Sequence, residues 1–198
     1  MTAQPVGAYT WSPDPVNWSP DPVKQKRAGY TVEDMLDLPD DAPRAELTDG
    51  VLTVVPSPSV GHQRINVRLV SWLERHLPTG FEALMALGVL VDVDTTREPD
   101  ALIVHSPLDL DHHFCKADQV LVVVEIVSPG TRRRDRFEKP ALYASAGIPH
   151  YWRIEQNPVH VFAYDLVGSR YEPVADSAEE LVLSKPFEIK LPIRDIAP

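Results

Sequence analysis

The sequence predicts a single α/β (α+β) domain, a sandwich in which a mixed central β-sheet is flanked by helices. Three observations predict it: several short apolar runs of strand length, one long segment of helical periodicity before the central runs, and a second helical segment after them. The 198 residues suffice for one compact domain with a sizeable core. Hydrophobic residues make up 43% of the chain and charged residues 24%, which is ordinary for a globular protein and indicates no particular function.

The N-terminal segment is unusual because the hexapeptide WSPDPV occurs twice, at residues 11–16 and 18–23. Its proline density disfavours a helix and predicts an extended arm over residues 1–29. The arm is either a mobile tail or a segment that docks on another chain through Trp11 and Trp18. The domain itself is expected over residues 30–198.

The first elements of the domain follow from caps, turns and periodicity. TVEDMLDLP predicts a short helix capped by Thr31, and the Asp49-Gly50 pair between apolar runs predicts a hairpin. VGHQRINVRLVSWLERHL predicts the long helix of the domain. Its expected apolar face consists of Ile65, Val67, Leu69, Val70, Trp72 and Leu73.

The remaining elements alternate between apolar runs and turn residues. EKPALYASAG predicts a helix that ends at Gly147. Strands are predicted before this helix at residues 81–84, 87–93, 101–104 and 120–127, and after it at residues 150–155, 159–166 and 169–175.

The overall charge excludes some classes of partner. Lys and Arg total 19 against 29 Asp and Glu, a formal net charge of -10, so general adhesion to nucleic acid or anionic membrane is not expected. A polyanion would need a local basic patch, which Arg132, Arg133 and Arg134 supply. No apolar run approaches the roughly 20 residues of a membrane span, and Cys115 has no second cysteine to pair with, so we expect a cytoplasmic protein.

Familiar catalytic motifs are absent from the sequence. It contains no G-x-G-x-x-G, no G-x-x-x-x-G-K-[ST], no G-x-S-x-G and no H-E-x-x-H. The chemistry is therefore expected to depend on carboxylates, histidines and lysines.

Two carboxylates are placed where a cation would explain them. Glu125 interrupts the apolar run VLVVVEIV, where an unpaired charge costs several kcal/mol. Asp100 follows Pro99 at the start of another predicted strand. If these strands are neighbours, the two carboxylates converge to about 5 Å, repel each other and favour a bound divalent cation. Mg²⁺ (or Mn²⁺) needs only one or two carboxylates together with waters.

The residues alone leave a second interpretation equally open. Glu125 could pair with one of the three arginines downstream, and Asp100 could cap a turn. The segment DLDHHFC, residues 109–115, also has metal-capable side chains, but adjacent histidines on an extended segment point apart, and a solvated loop is expected there.

Several blocks resemble a known family. AELTDGVLTVVPSPSVGHQRINVRL, EPD, VVVEIVSPGTRRRD and EKPALYASAGIPHYW are similar to the Uma-two family of restriction-endonuclease-like proteins, within the PD-(D/E)XK nuclease superfamily. The resemblance covers residues 30–173 and implies the restriction-endonuclease-like fold. It assigns the motif carboxylates to Asp100 and Glu125. The lysine expected two residues after the glutamate is missing, because that position is Val127.

The same resemblance supplies further site residues. Family members of this kind carry a lysine on the following helix, where Lys139 stands. Pro140 fits the first turn of that helix, which would bring Lys139 close to the end of the strand. Glu46, His62 and Gln63 match the family's opening block and are candidate accessory residues, although each also has an ordinary structural role open to it.

The sequence thus indicates an endonuclease that hydrolyses DNA phosphodiester bonds with Mg²⁺ or Mn²⁺. Asp100 and Glu125 are expected to hold the metal, and Lys139 to assist catalysis. DNA and a second copy of the chain, in a homodimer, are the expected partners, and no membrane is expected. The alternative is a catalytically inactive binding or regulatory module on the nuclease fold, because the strict E-x-K spacing is broken and the net charge is negative.

Overall fold

The computed structural model of the chain describes residues 19–39, 42–130 and 132–198. Trp11 and Trp18, the docking residues proposed for the N-terminal arm, lie outside the described residues. The helices are α1 (Pro22–Arg27), α2 (Val32–Leu36), α3 (Val60–His76) and α4 (Lys139–Ser145). A π-helical turn over Arg134–Glu138 leads directly into α4, and short 3₁₀ turns lie at Ala117–Gln119 and Ile193–Asp195.

The strands form one large sheet and three small ones. They are β1 (Ala45–Thr48), β2 (Val51–Val54), β3 (Phe81–Met85), β4 (Gly88–Asp92), β5 (Thr95–Arg97), β6 (Ala101–His105), β7 (Phe114–Lys116), β8 (Val120–Ile126), β9 (His150–Gln156), β10 (Val159–Val167), β11 (Arg170–Ser177), β12 (Glu180–Leu183) and β13 (Ile189–Pro192).

The large sheet has the strand order β11-β10-β9-β8-β6-β3. The β8 and β9 strands are parallel, while every other neighbouring pair in this sheet is antiparallel. Because α4 connects β8 to β9, this parallel pair forms a βαβ unit inside an otherwise antiparallel sheet. The fold is therefore the mixed α+β sandwich that the sequence predicts.

Both faces of the sheet are covered. On one face, α3 packs its buried side chains Ile65, Leu69 and Trp72 against β6, β8 and β9, and the β12-β13 hairpin extends this core. On the other face, Tyr143 of α4 packs with Leu102 and the neighbouring strands. The central strand β8 is consequently buried along nearly its whole length. A strand buried on both faces reads as a nearly continuous apolar run, which explains the VLVVV sequence.

The prediction of an extended arm up to residue 29 is wrong for Pro22–Arg27, which is helix α1. Proline disfavours a helix interior but suits the first helical position, and Pro22 stands there after Asp21, whose side chain caps the helix. The Gln25 side chain accepts a hydrogen bond from the Leu52 N–H at 2.7 Å, so α1 contacts the β1-β2 hairpin.

Most predicted elements are confirmed, but the buried apolar face of α3 is narrower than predicted. The Thr31 cap, the Asp49-Gly50 turn and the end of α4 at Gly147 are as expected, with φ of +48°, +74° and +78° at Asp49, Gly50 and Gly147. Val67 was expected on the apolar face of α3 but is 51% exposed. The strands β5, β7, β12 and β13 were not predicted. None of the helices in the described part of the chain is both long and apolar enough to span a membrane.

Candidate active site

Asp100 and Glu125 lie at the same end of the central sheet. Strands β6 and β8 are antiparallel neighbours, with Ala101 opposite Val124, so the residue before Ala101 meets the residue after Val124. The Asp100 carboxylate accepts a hydrogen bond from the backbone N–H of Ile126 at 2.7 Å. The convergence expected from the sequence therefore occurs.

Glu125 is held by two side chains from the helix that follows it. The carboxyl is 1% exposed, and its Oε2 lies 2.8 Å from the Lys139 Nζ, while its Oε1 accepts a 2.6 Å hydrogen bond from the Tyr143 hydroxyl. The alternative in which Glu125 pairs with an arginine of the RRR segment is wrong. The partner is the lysine that the family resemblance indicated.

The π-helical turn sets the position of Lys139. Pro140 has no N–H for the carbonyl four residues earlier, and its ring would clash with that carbonyl in a regular α-helix. The turn widens instead, and the Lys139 N–H bonds to the Arg134 carbonyl five residues back. Lys139 becomes the first residue of α4, as expected, but it continues a helical segment and does not start one.

Two site residues, Asp135 and Tyr143, were not singled out from the sequence. Both are buried, and Asp135 Oδ1 lies 3.7 Å from the Lys139 Nζ. Asp135, Lys139 and Tyr143 recur every four residues and so share one face of a helical segment. This four-residue spacing is the sequence feature that could have identified Asp135 and Tyr143.

Glu46 belongs to the site and is not a surface charge of the hairpin. It is 2% exposed on β1, and its Oε1 lies 3.4 Å from the Lys139 Nζ. Its other oxygen pairs with Arg134. Arg134, proposed as a phosphate contact, is thus engaged with a carboxylate of the site.

His62 stands beside Asp100. Its Nε2 lies 3.1 Å from the Asp100 Oδ2, and its side chain is 8% exposed. Asn66, one turn further along α3, donates to the Asp100 backbone carbonyl at 2.7 Å. The buried His62 Nδ1 and Asn66 Oδ1 have no hydrogen-bond partner among the described residues. Helix α3 thus fixes Asp100 from the opposite side to α4.

Three other residues that were predicted for the site lie outside this group of buried charged side chains. Gln63 is exposed on α3, and its amide lies 3.5 Å from the Pro58 carbonyl. Arg132 and Arg133 are exposed, and Arg133 pairs with Glu138 at 3.3 Å. The structure brings together Glu46, His62, Asp100, Glu125, Arg134 and Lys139.

A cleft of about 250 Å³ opens over these residues. Five carboxylates line it, and we call it the carboxylate cleft: Glu46, Glu98, Asp100, Glu125 and Asp135. The cations that line it within the described part of the chain are Arg44 and Lys139, and Arg44 pairs with Glu98 at 2.5 Å. The cleft therefore carries more negative than positive charge.

Burial shifts the pKa of Glu125, and the surrounding carboxylates shift that of Lys139. Burial raises the pKa of Glu125 to about 8, against the opposing effect of the Lys139 ammonium. Burial lowers the pKa of Lys139, but Glu125, Glu46 and Asp135 outweigh it and raise that pKa above the ordinary lysine value. Lys139 remains protonated, and the cleft favours additional positive charge.

The residues present fit a hydrated divalent cation. Among the described residues, no three His, Cys, Asp or Glu side chains are grouped so that they alone could hold a metal ion. Mg²⁺ needs only one or two carboxylates and keeps several waters. Each carboxylate oxygen has two acceptor positions, so Glu125, once it has lost its proton to the incoming cation's charge, can accept from Lys139 and Tyr143 and still ligate that cation. Asp100 is accessible to solvent, with 22% of its side chain exposed.

The fold and the cleft define a restriction-endonuclease-like protein. The chain belongs to the Uma2 family, described as "Putative restriction endonuclease", whose model matches residues 32–194. No match was found among curated proteins.

A solved structure is similar in fold. It is the crystal structure of a "putative nuclease belonging to DUF820" from Anabaena variabilis, with a TM-score of 0.67 and 21% sequence identity. The match covers 84% of this chain and 96% of the other. The family resemblance stated for the sequence is confirmed, and so is the nuclease-like fold.

Proposed function

We propose that this chain is a divalent-metal-dependent endonuclease that hydrolyses DNA phosphodiester bonds. The observation that carries the proposal is the convergence of Asp100, Glu125 and Lys139 at one solvent-accessible cleft. Two carboxylates on adjacent strands with a charged lysine are the groups that metal-assisted phosphodiester hydrolysis requires. Membership of a family described as restriction endonucleases supports the same reaction class.

Asp100 and Glu125 would hold the cation, with help from the backbone carbonyl of Ile126, which also lines the cleft. A bound Mg²⁺ or Mn²⁺ would supply Lewis acidity and a water of lowered pKa. The Ile126 N–H and the His62 ring orient the Asp100 carboxylate. The Tyr143 hydroxyl orients Glu125 in the same way. These contacts would hold both carboxyl groups in place as metal ligands.

Lys139 acts as a fixed positive charge. Its raised pKa rules out a general base at neutral pH, since an ammonium has no lone pair with which to accept a proton. It can instead stabilise the negative charge that develops on the scissile phosphate. Its position on α4, next to Glu125, lets it serve the role that the valine at position 127 cannot.

Partners and location remain part of the proposal. The exposed Arg132 and Arg133 follow Ser128 and Pro129 of the cleft wall, and in this proposal they would contact DNA phosphates, Arg133 by leaving its pair with Glu138. We also propose that the protein is cytoplasmic and forms a homodimer. Size-exclusion chromatography with light scattering tests the dimer directly.

A second candidate is a binding module that has lost catalysis. The observation that favours it is that both Glu125 oxygens are already hydrogen-bonded within the protein. A module of this kind would bind nucleic acid without cutting it.

Cleavage of mixed DNA substrates with Mg²⁺, Mn²⁺ or EDTA separates the two candidates. We expect metal-dependent cleavage, and a rate lower by about two to three orders of magnitude in Lys139→Ala, the scale for losing one preorganised electrostatic group. Asp100→Asn should lose metal-dependent cleavage. Lys190→Ala and Asp109→Asn, both exposed, are matched controls and should cut normally. Absence of cleavage on every substrate with either metal would favour the binding module.

A further inference from the structure

The outer face of α3 carries an unusual concentration of positive charge for so acidic a chain. Arg64 and Arg68 lie one turn apart and are both exposed. Neither makes an ion pair within residues 19–39, 42–130 and 132–198. From Val60 to Leu73 the helix contains no acidic residue. This is a local basic surface on a chain with a formal net charge of -10.

Three adjacent depressions with shared lining residues lie between the carboxylate cleft and this face. A groove of about 250 Å³ shares Asp100 and His62 with the cleft and continues past Asn66 and Val67. A further surface depression of about 260 Å³ shares Val67 with that groove and reaches Arg64 and Arg68. The depressions therefore follow one another from the cleft along α3 to the two arginines.

The groove also has unused hydrogen-bonding capacity. The His62 Nδ1 and Asn66 Oδ1 are buried without a partner among the described residues, and both side chains line the groove. A buried polar atom without a partner costs free energy, and a side-chain movement that opens it to the groove would let a ligand or an ordered water recover that cost. Gln63, exposed between the two depressions, adds an amide that can contact phosphate or sugar.

Electrostatics requires such a surface. The five carboxylates of the cleft outnumber its lining cations Arg44 and Lys139, so the cleft repels a phosphate backbone when no metal ion is bound. Positive charge beside the cleft must provide the attraction. Arg134 is engaged with Glu46, and Arg133 with Glu138, which reduces what the RRR segment alone can offer.

We infer that the outer face of α3 is a DNA-backbone binding surface, on which Arg64 and Arg68 contact phosphates of the strand that leaves the cleft through the His62-Asn66 groove. This inference deepens the proposed function and rests on it for the identity of the substrate. The exposed Val60 and Val67 line the same depression as the two arginines and would contact the sugar edge.

The test is binding of a short fluorescent DNA duplex in EDTA between about 50 mM and 200 mM salt. The double variant Arg64→Ala/Arg68→Ala should bind roughly 10- to 100-fold more weakly than wild type, and its log-log salt slope should fall by about 1.8, or 0.9 for each lost phosphate contact. Alanine is the best helix former, so α3 should remain folded, which circular dichroism and a thermal melt would verify.

Arg170→Ala/Arg194→Ala is the matched control, because it removes the same charge at two exposed arginines outside this surface. It should leave affinity and slope unchanged. Equal binding by wild type and Arg64→Ala/Arg68→Ala, or no binding by wild type at the lowest salt, would overturn the inference.

Two further outcomes separate the binding surface from the proposed catalysis and from a dimer interface. If the α3 variant loses binding while wild type cuts no substrate with Mg²⁺ or Mn²⁺, the proposed catalysis fails but the binding surface stands. If Val67→Asp converts a dimer into a monomer in light scattering, this face is an interface between copies of the chain, and the inference is overturned.

Discussion

The carboxylate cleft and the loop over residues 109–113, which ends where β7 begins at Phe114, contain similar side chains in different environments. In the loop, Asp109 and His112 are 3.5 Å apart, but their side chains are 59% and 69% exposed. In the cleft, Glu125 and Lys139 are almost completely buried and 2.8 Å apart. Water screens the first pair and leaves it with little energy, whereas the second pair interacts strongly because solvent is excluded.

The two regions differ in where along the chain their residues come from. Asp109 and His112 are neighbours in sequence, and their exposed side chains are not fixed by packing. The cleft residues come from β1, β6, β8, the π-helical turn and α4, each held by the core. A local cluster of ligand-type residues is therefore a weaker indication of a site than a few buried charges placed at the ends of apolar strands.

The largest contrast between the regions should appear on removing the basic side chain of each pair. Lys139→Met leaves Glu125, Glu46 and Asp135 without their shared cation and should lower the free energy of unfolding by about 3 to 5 kcal/mol in urea denaturation at neutral pH. His112→Ala in the loop should change it by less than about 0.5 kcal/mol. Equal effects would show that the buried ion pair carries no more energy than the exposed one.

The second-largest difference between the cleft and the loop should be in their response to a divalent metal ion. At a hundredfold excess over its dissociation constant, Mg²⁺ or Mn²⁺ should stabilise the protein by about 2.7 kcal/mol. For a domain of this size the melting temperature should rise by roughly 5 to 10 °C relative to EDTA. Asp100→Asn should lose this shift, and Asp109→Asn in the loop should keep it. A shift that survives Asp100→Asn would place the cation elsewhere.

The pH dependence of stability should identify the buried carboxyl. Because the pKa of Glu125 is raised to about 8 in the folded protein, the folded state binds its proton more tightly than the unfolded state. The contribution of Glu125 to stability is therefore fully present below its unfolded pKa and is lost as the pH rises towards about 8.

The Glu125→Gln variant should remove this component, up to about 1.4 kcal/mol per pH unit, from urea denaturation curves recorded in EDTA across that range. Asp109→Asn serves as the control and should keep the wild-type profile. A Glu125→Gln profile parallel to wild type would show that the carboxylate is ionised throughout.

The smallest expected effect tests whether a remote contact supports the cleft. The Gln25 side chain in α1 accepts from the Leu52 N–H of the hairpin that carries Glu46. Gln25→Ala should cost about 1 kcal/mol in the same denaturation assay, because it removes one hydrogen bond. Lys26→Ala on the exposed side of α1 should cost almost nothing. If both variants behave alike, α1 does not stabilise the hairpin.

Much of the fold could be predicted because its signals are local. The α3 periodicity, the Thr31 cap, the Asp49-Gly50 turn and the Gly147 stop each depend on a few neighbouring residues, and all are confirmed. Strands β5 and β7 have only three residues each and lack a readable pattern. Helix α1 was missed because proline was weighed by its frequency, whereas its position after Asp21 decides its effect.

The sequence by itself identified Asp100 and Glu125 as candidate site residues, because a carboxylate in or beside an apolar run needs a partner in any fold. It could not decide which partner Glu125 has, since the RRR segment and Lys139 are both within reach along the chain. Only the tertiary structure decided this. The widened turn before Pro140 directs Lys139 inwards, and the β1 strand brings Glu46 from about ninety residues away to engage Arg134. Contacts of that kind depend on how distant segments meet in the core, and no local pattern records them.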